Sequence, residues 1–258
     1  TRSYPVPTPH LTGTDPATAT RRAGDTVTGL SGVLSYGFGT YRVQPVAPVA
    51  FVAANPRTAA PPFLGGTVKV ASFNVLNYFT TFGGTNDRGA SNATEFARQR
   101  AKIVAALRAL DADIVGLIEI QNRADAGAVT NETAVNDLVA ALNTAIGTAG
   151  TYVALPPPSA GTGTDYIRNA FIYKPAQVTP AGVSLTDTDA VFQRPPLAQR
   201  FTRVGDGSGV LVCVNHFRSK ASGSGADADQ GDGQGGSNAT RRTQAQRLVS
   251  FLDTAKAS

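Results

Sequence analysis

Apolar residues recur along this chain in two different periods, and the switch from one to the other marks its elements. Asn92 is followed three residues later by Glu95, and then by Phe96, Ile103, Leu107 and Leu110 on one face of a helical repeat. That spacing predicts an amphipathic helix with a reciprocal cap, each polar side chain satisfying a backbone N–H that the first turn leaves without a partner. Val135, Leu138, Val139, Leu142 and Ile146 predict a second helix that stops at Gly147. Ala245, Leu248, Val249 and Leu252 predict the buried face of a third, which starts after Asn238. Among the strands, Val68 and Val70 alternate into Phe73, and Asp113 to Ile120 (DIVGLIEI) is nearly continuous in branched apolar residues, as a strand covered on both faces must be. Later strands are predicted at 169–173, 200–204 and 210–216, with a Gly- and Asp-rich loop over 222–236. From Thr67 onward this is an α/β pattern.

The first 45 residues differ. Short alternating stretches at 26–30, 32–36 and 39–43, punctuated by glycines, predict the hairpins of a small β module over 1–45. Pro45, Pro48, Pro56, Pro61 and Pro62 disfavour both helix and central strand, so 46–66 reads as a linker and 67–258 as the main domain.

Composition narrows the class. Of 258 residues, 41% are hydrophobic, and 27 Gly with 16 Pro stay below the roughly 25–30% that marks low-complexity chains, so disorder and fibre are excluded. No apolar run approaches the ~20 residues of a membrane span. A single cysteine forms no internal bridge and leaves the compartment open. The net charge of +5 favours a polyanionic partner, yet after Gly65 eighteen Lys/Arg face sixteen acids, so a phosphate-binding surface has to be a local cluster. No methionine occurs, even at position 1, so the chain is expected to be a processed or excised product, with any signal peptide outside it.

Four groups stand out chemically. Glu119 lies among Leu117, Ile118 and Ile120, where a carboxylate needs compensation. A divalent metal would supply it, as would an arginine or an outward turn at the strand end. Asn74 closes the first strand, with Asn77 three residues on; either serves as a turn former or, at a strand end of an open sheet, near a ligand. His216 ends VLVCVNHF and precedes Arg218 and Lys220, an arrangement suited to proton transfer beside a held phosphate and equally to a histidine satisfied by a carbonyl. His10 is assigned no role, Cys213 reads as a small core residue, and Asp227, Asp229 and Asp232 read as a solvated loop. Three N-x-T triplets, at Asn92, Asn131 and Asn238, fall where helices begin and are read as helix caps.

The order of these segments is more specific than any one of them. ASFNVLNYF, RQRAKIVAAL (98–107), DIVGLIEIQN, GTDYIRNAFIYKP, VCVNHFRSK and GDGQGGSNATRRTQA resemble, in sequence, the endonuclease/exonuclease/phosphatase superfamily. More narrowly, they resemble the catalytic domain of large secreted bacterial nucleases related to DNase I. The passage GDTVTGLSGVLSYGFGTYRVQP is similar to the OB-like β module that precedes that domain. The resemblance implies a four-layer α/β sandwich and a secreted nuclease that hydrolyses DNA, or RNA as well, with Mg²⁺ or Mn²⁺ and Ca²⁺ as a further option. It places Asn74 and Glu119 at the metal, and His216 near the scissile phosphate as general acid. Asp165 falls on a motif position counted with His216 and Glu119 among the catalytic residues, and Arg168, Arg218, Lys220, Asn238 and Arg241 on positions that face phosphate. A non-catalytic extracellular module on the same scaffold, or a phosphatase or phospholipase, are the alternatives. The sequence departs from the pattern in having Ser237 where relatives carry an aromatic, and in ending before the GDxNA-type and SDH-type segments. The expectation is therefore half an active site, with little activity from this chain alone.

Overall fold

The computed structural model describes residues 22–56, 58, 60–125, 129–221 and 223–257. His10 and the first part of the expected β module lie outside them. The chain divides into two compact units, Thr1–Pro61 and Pro62–Ser258.

In the described part of the first unit, β1 (Gly32–Gly37) and β2 (Thr40–Pro45) form one antiparallel hairpin. Its two turn residues, Phe38 and Gly39, both have positive φ, which matches the right-handed twist of the strands they join. Thr26 pairs with Val52 in an isolated antiparallel bridge, so part of the Pro-rich stretch returns to the hairpin's unit.

The second unit contains two sheets. The first has the order β3 (Val70–Tyr78), β4 (Ile114–Gln121), β6 (Ile167–Tyr173), β5 (Val153–Ala154), with β3 and β4 parallel and the other pairs antiparallel. The second runs β7 (Val178–Thr186), β8 (Leu197–Arg203), β9 (Gly209–Val214), all antiparallel. β3 and β4 are joined through α1 (Ala93–Leu110), as a parallel pair requires. Asn92 accepts from Glu95 N and Glu95 from Ser91 N, a cap worth about 1 kcal/mol. With α2 (Thr133–Ile146), α1 covers one face of the first sheet, burying Phe96, Ile103, Val104 and Leu107 together with Val135, Leu138 and Leu142. Gly147, at φ 87°, closes α2.

β4 is buried on both faces, as its composition predicts. Val115 and Leu117 join the helices, whereas Ile114 and Ile118 meet Phe171, Leu197, Phe201 and Val214 between the sheets. Gly116 lets the sheets approach closely there, since a Cβ on it would lie 3.0 Å from Val214 Cβ and one side would have to give by a few tenths of an ångström. Gly116→Ala is expected to overpack the sheet interface and destabilise the unit by about 1–3 kcal/mol, read from urea unfolding. Wild-type stability in the variant would show that the interface is loose.

α3 (Asn238–Ala257) lies on the second sheet, with Ala255 beside Ala181, Leu185, Ala198 and Leu211, and Arg247 paired to Asp187 at 2.6 Å. The order of layers is helices, sheet, sheet, helix: an α/β sandwich. The buried face of α3 differs from the one expected. Gln244 and Ala255 are buried, Leu248 and Leu252 are half-buried, and Ala245 and Val249 are exposed. Polar demand from the loops beneath turns the helix so that Gln244 faces inward. The capping reading of the N-x-T triplets holds only at Asn92. Asn131 precedes the α2 cap residue Glu132 and reaches Thr162 instead, and the side chain that caps α3 is Asp227, which accepts from Thr240 N at 2.8 Å.

Candidate active site

β3 and β4 both become irregular where they end side by side, and the functional groups emerge there. Pairing slips between Asn74 and Tyr78 on β3, and between Leu117 and Ile120 on β4. Leu76 and Asn77 take φ of 55° and 51°, and Glu119 takes 70°. A left-handed residue other than glycine costs about 1–2 kcal/mol, so something must hold Glu119 in place. Asn74 Nδ2 donates to Glu119 Oε1 at 2.8 Å and Asn77 N donates to Oε2 at 3.0 Å. Asn74 Oδ1 in turn accepts from Leu76 N at 2.7 Å. The two adjacent bulges lock each other, and their product is one carboxylate turned toward the gap between the sheets.

His216 reaches that gap from the second sheet, two residues beyond β9. Its Nε2 lies 3.8 Å from Glu119 Oε1. The close approach of Val214 to Gly116 is what brings the two strand ends this near. Nδ1 is buried and has no hydrogen-bond partner among the described residues. Burial and then Arg194 hold the imidazole below its ordinary pKa, against the opposing pull of Glu119 and Asp165, so it is neutral at pH 7.

A cleft of about 490 Å³ opens at this point, lined by Asn77, Glu119, Ile167, Gln193, His216, Ser219 and three guanidiniums, Arg88, Arg194 and Arg218. Asp165 binds two of these, Arg88 Nη1 at 3.3 Å and Arg194 Nη1 at 3.1 Å, while Arg194 also donates to the carbonyls of His216 and Phe217. With an arginine on each oxygen, Asp165 acts as an anchor for the arginines.

Arg88 is delivered by the 79–90 loop, which Gln121 fastens by accepting from Thr80 N. Asn86 fastens it further through two bonds to Asp125. At Gly89 a Cβ would lie 2.1 Å from Asn77 O, so only glycine lets this loop close over the site. Neither Arg88 nor Arg194 carries a sequence signal of its own. Each lies in a Gly- or Pro-rich connection where no periodicity announces a fixed position.

Of the residues singled out from sequence, Asn77, Glu119, His216 and Arg218 line the cleft, with Asn74 and Asp165 bonded to its walls. Arg168 is elsewhere. It is 2% exposed, with Nε on Asn131 O and Nη1 on Asn169 O, and burial lowers its pKa to about 10. The cause is strand alternation: Ile167 takes the cleft side of β6 and its neighbour the other. Arg241 spends its guanidinium on the carbonyls of Gly236 and Gln234, and Lys220 and Asn238 do not line the cleft. Cys213 is pushed up to about 11 by burial, consistent with a core thiol. A second hollow, of about 480 Å³, lies at the far end of the first sheet, where Lys174 is tied to Asp111 and Asp113.

For a divalent cation, the donors at the cleft are the right kind. Glu119 keeps a free lone pair on each oxygen, and Mg²⁺ takes only one or two protein carboxylates, leaving water and phosphate oxygens to complete its shell. Asn74 steadies Glu119 through Nδ2, and its Oδ1, which accepts one bond from Leu76 N, likewise keeps a second lone pair. No group of three or more His, Cys, Asp or Glu placed to hold a metal occurs among the described residues. In the loop that precedes α3, Asp227 accepts from Thr240 N, Asp229 from Gly231 N and Asp232 from Gln234 N. No described helix is long and apolar enough to cross a membrane.

No protein-family profile and no curated protein matches the sequence. Solved structures do. A humanized D. rerio TDP2 carrying 14 mutations matches at 15% identity, TM-score 0.38, over 59% of this chain and 48% of its own. The human Nocturnin catalytic domain with bound sulfate matches at 15% and 0.36, over 59% and 51%. A Bacteroides thetaiotaomicron protein matches at 17% and 0.37, over 59% and 52%. The chain thus spans about half the length of the structures it matches, and likeness of this degree speaks to neither activity nor substrate. The last of the three is an endonuclease/exonuclease/phosphatase family protein.

Proposed function

We propose that this chain carries the substrate cleft and part of the catalytic apparatus of a secreted, divalent-metal-dependent nuclease that hydrolyses phosphodiester bonds of DNA. The observation that carries the reading is the 3.8 Å approach of Glu119 and His216, delivered by different sheets into a cleft ringed by Arg88, Arg194 and Arg218. Secretion rests on the sequence resemblance alone. The superfamily resemblance supports the reaction class, and the guanidiniums support a phosphate-bearing substrate, because their planar forks match phosphate oxygens.

Glu119 would hold Mg²⁺ or Mn²⁺, whose role there is to neutralise charge on the phosphate and orient the attacking water. Asn74 and Asn77 N fix the carboxylate, so no reorganisation is needed when charge develops. The guanidiniums of Arg88, Arg194 and Arg218 orient the phosphate. His216, neutral before substrate enters, gains affinity for a proton once an anionic phosphate lies beside it, and can then return that proton to the leaving oxygen.

The test is plasmid cleavage by the protein that carries this chain, with Mg²⁺ or Mn²⁺. Nicking that EDTA abolishes is expected, with His216→Asn slowing it by about 10²–10⁴-fold. Cleavage that survives EDTA, or an unaffected His216→Asn variant, would overturn the reading. Hydrolysis of a phosphomonoester or a phospholipid in place of DNA would move the proposal to another member of the superfamily.

A further inference from the structure

Gln244 is fully buried on the inward face of α3, and its amide joins two separate walls of the cleft. Its Oε1 accepts from Arg218 N at 2.9 Å, while Nε2 donates to Val191 O at 2.8 Å and to Gln193 Oε1 at 3.3 Å. Arg218 follows the end of β9, and 191–193 lies between β7 and β8, so neither segment is held there by a strand ladder. Both Arg218 and Gln193 line the cleft. Arg218 Nε is further directed by Ser237 Oγ at 3.2 Å, at the start of the same helix.

We propose that Gln244 is a positioning residue. Through one amide it sets the Arg218 guanidinium and the Gln193 side chain opposite Glu119 and His216, coupling α3 to phosphate binding. This rests on the phosphate-binding reading of the cleft, but the bond it invokes is testable without it. A buried amide whose only task is to fill space is replaceable by Met, which has similar volume and no hydrogen-bonding demand. A positioning amide is not replaceable in that way.

The experiment compares Gln244→Met, Gln244→Glu and Arg218→Ala in the intact chain by amide hydrogen exchange and by titration with inorganic phosphate. Gln244→Met is expected to speed exchange at the Arg218 amide at least about tenfold and to weaken phosphate binding about tenfold, as far as Arg218→Ala does. The double variant should be no weaker than Arg218→Ala alone. Gln244→Glu keeps an acceptor for Arg218 N but loses the donor to Val191 O and Gln193 Oε1, so that amide should stay protected while phosphate affinity falls. Unchanged Arg218 exchange in Gln244→Met overturns the proposal. If Gln244→Met does not fold, Gln244→Glu decides, and loss of Arg218 protection there overturns it equally. Should phosphate fail to bind wild type, or bind Arg218→Ala as well as wild type, the cleft reading falls, while the exchange result still judges the Gln244 bond.

Discussion

Glu119→Gln is expected to lower the rate of phosphodiester cleavage about 10³-fold while leaving a folded protein. The substitution keeps the volume and one acceptor, so Asn77 N or Asn74 Nδ2 still finds an oxygen, but both cannot. One of the two donors then faces an NH₂ group, and a mismatch at this position, where the side chain is only 15% exposed, costs about 1–3 kcal/mol. The loss in rate has a different origin. Removing the negative charge removes the only carboxylate that lines the cleft among the described residues, and with it the donor for a divalent cation. Removing one such electrostatic stabiliser typically costs 10²–10³-fold or more in rate. Single-turnover cleavage in saturating Mg²⁺ checks the chemical step, and isothermal titration with Mn²⁺ checks the metal. Glu119→Gly adds a control, since it removes the left-handed strain at φ 70° along with the carboxylate. Both variants should be equally inactive, with the glycine relieving strain that the glutamine retains. Cleavage by Glu119→Gln within tenfold of wild type would sink the assignment.

The two poles of this site were legible in the sequence because one lies near the end of, and the other just beyond, a strand of apolar pattern. DIVGLIEI places an acid where none is comfortable, and VLVCVNHF carries an imidazole as its penultimate residue; the structure brings the two together. α1 and α2 were legible for the same reason, as long amphipathic segments with clear ends. β7 gave no such signal. Its VTPAGVSLT carries Pro180 and Gly182, tolerated because β7 is an edge strand whose outer N–H groups need no partner. α3 has little amphipathic contrast, so its inward face was decided by the polar loops that Gln244 satisfies, a tertiary demand that no local period encodes. Arg168 shows the other limit. A motif position says that a residue is near the site, but the face it takes depends on register, and here one residue's shift along β6 sends the guanidinium into the interior.

The largest effect on stability is expected at Asp165. Its side chain and that of Arg194 are 15% and 12% exposed, so the pair sits largely away from water, and Arg88 adds a second cation at 3.3 Å. Deleting the carboxylate leaves Arg194 buried with its charge uncompensated, and removing one partner of such a pair costs about 3 kcal/mol or more. Arg88, 42% exposed, can turn to water and adds little. Asp165→Ala should therefore lower the urea midpoint by an amount equivalent to about 3 kcal/mol, and the melting temperature by roughly 6–12 °C for a unit of this size. Asp165→Asn keeps an acceptor for Ile167 N, which lies 3.3 Å from Oδ1, and should cost about half as much. Asp206→Ala is the matched contrast. It breaks the 2.8 Å pair with Arg203 at the surface, where Asp206 is half exposed, and should cost less than about 1 kcal/mol. Because Arg194 also bonds the carbonyls of His216 and Phe217, its release in Asp165→Ala should disturb the imidazole too, visible as a shift of the His216 ring resonances that Asp206→Ala does not produce. Equal destabilisation by Asp165→Ala and Asp206→Ala would mean that Arg194 is held by the backbone carbonyls alone, and that Asp165 is a bystander in the cleft wall.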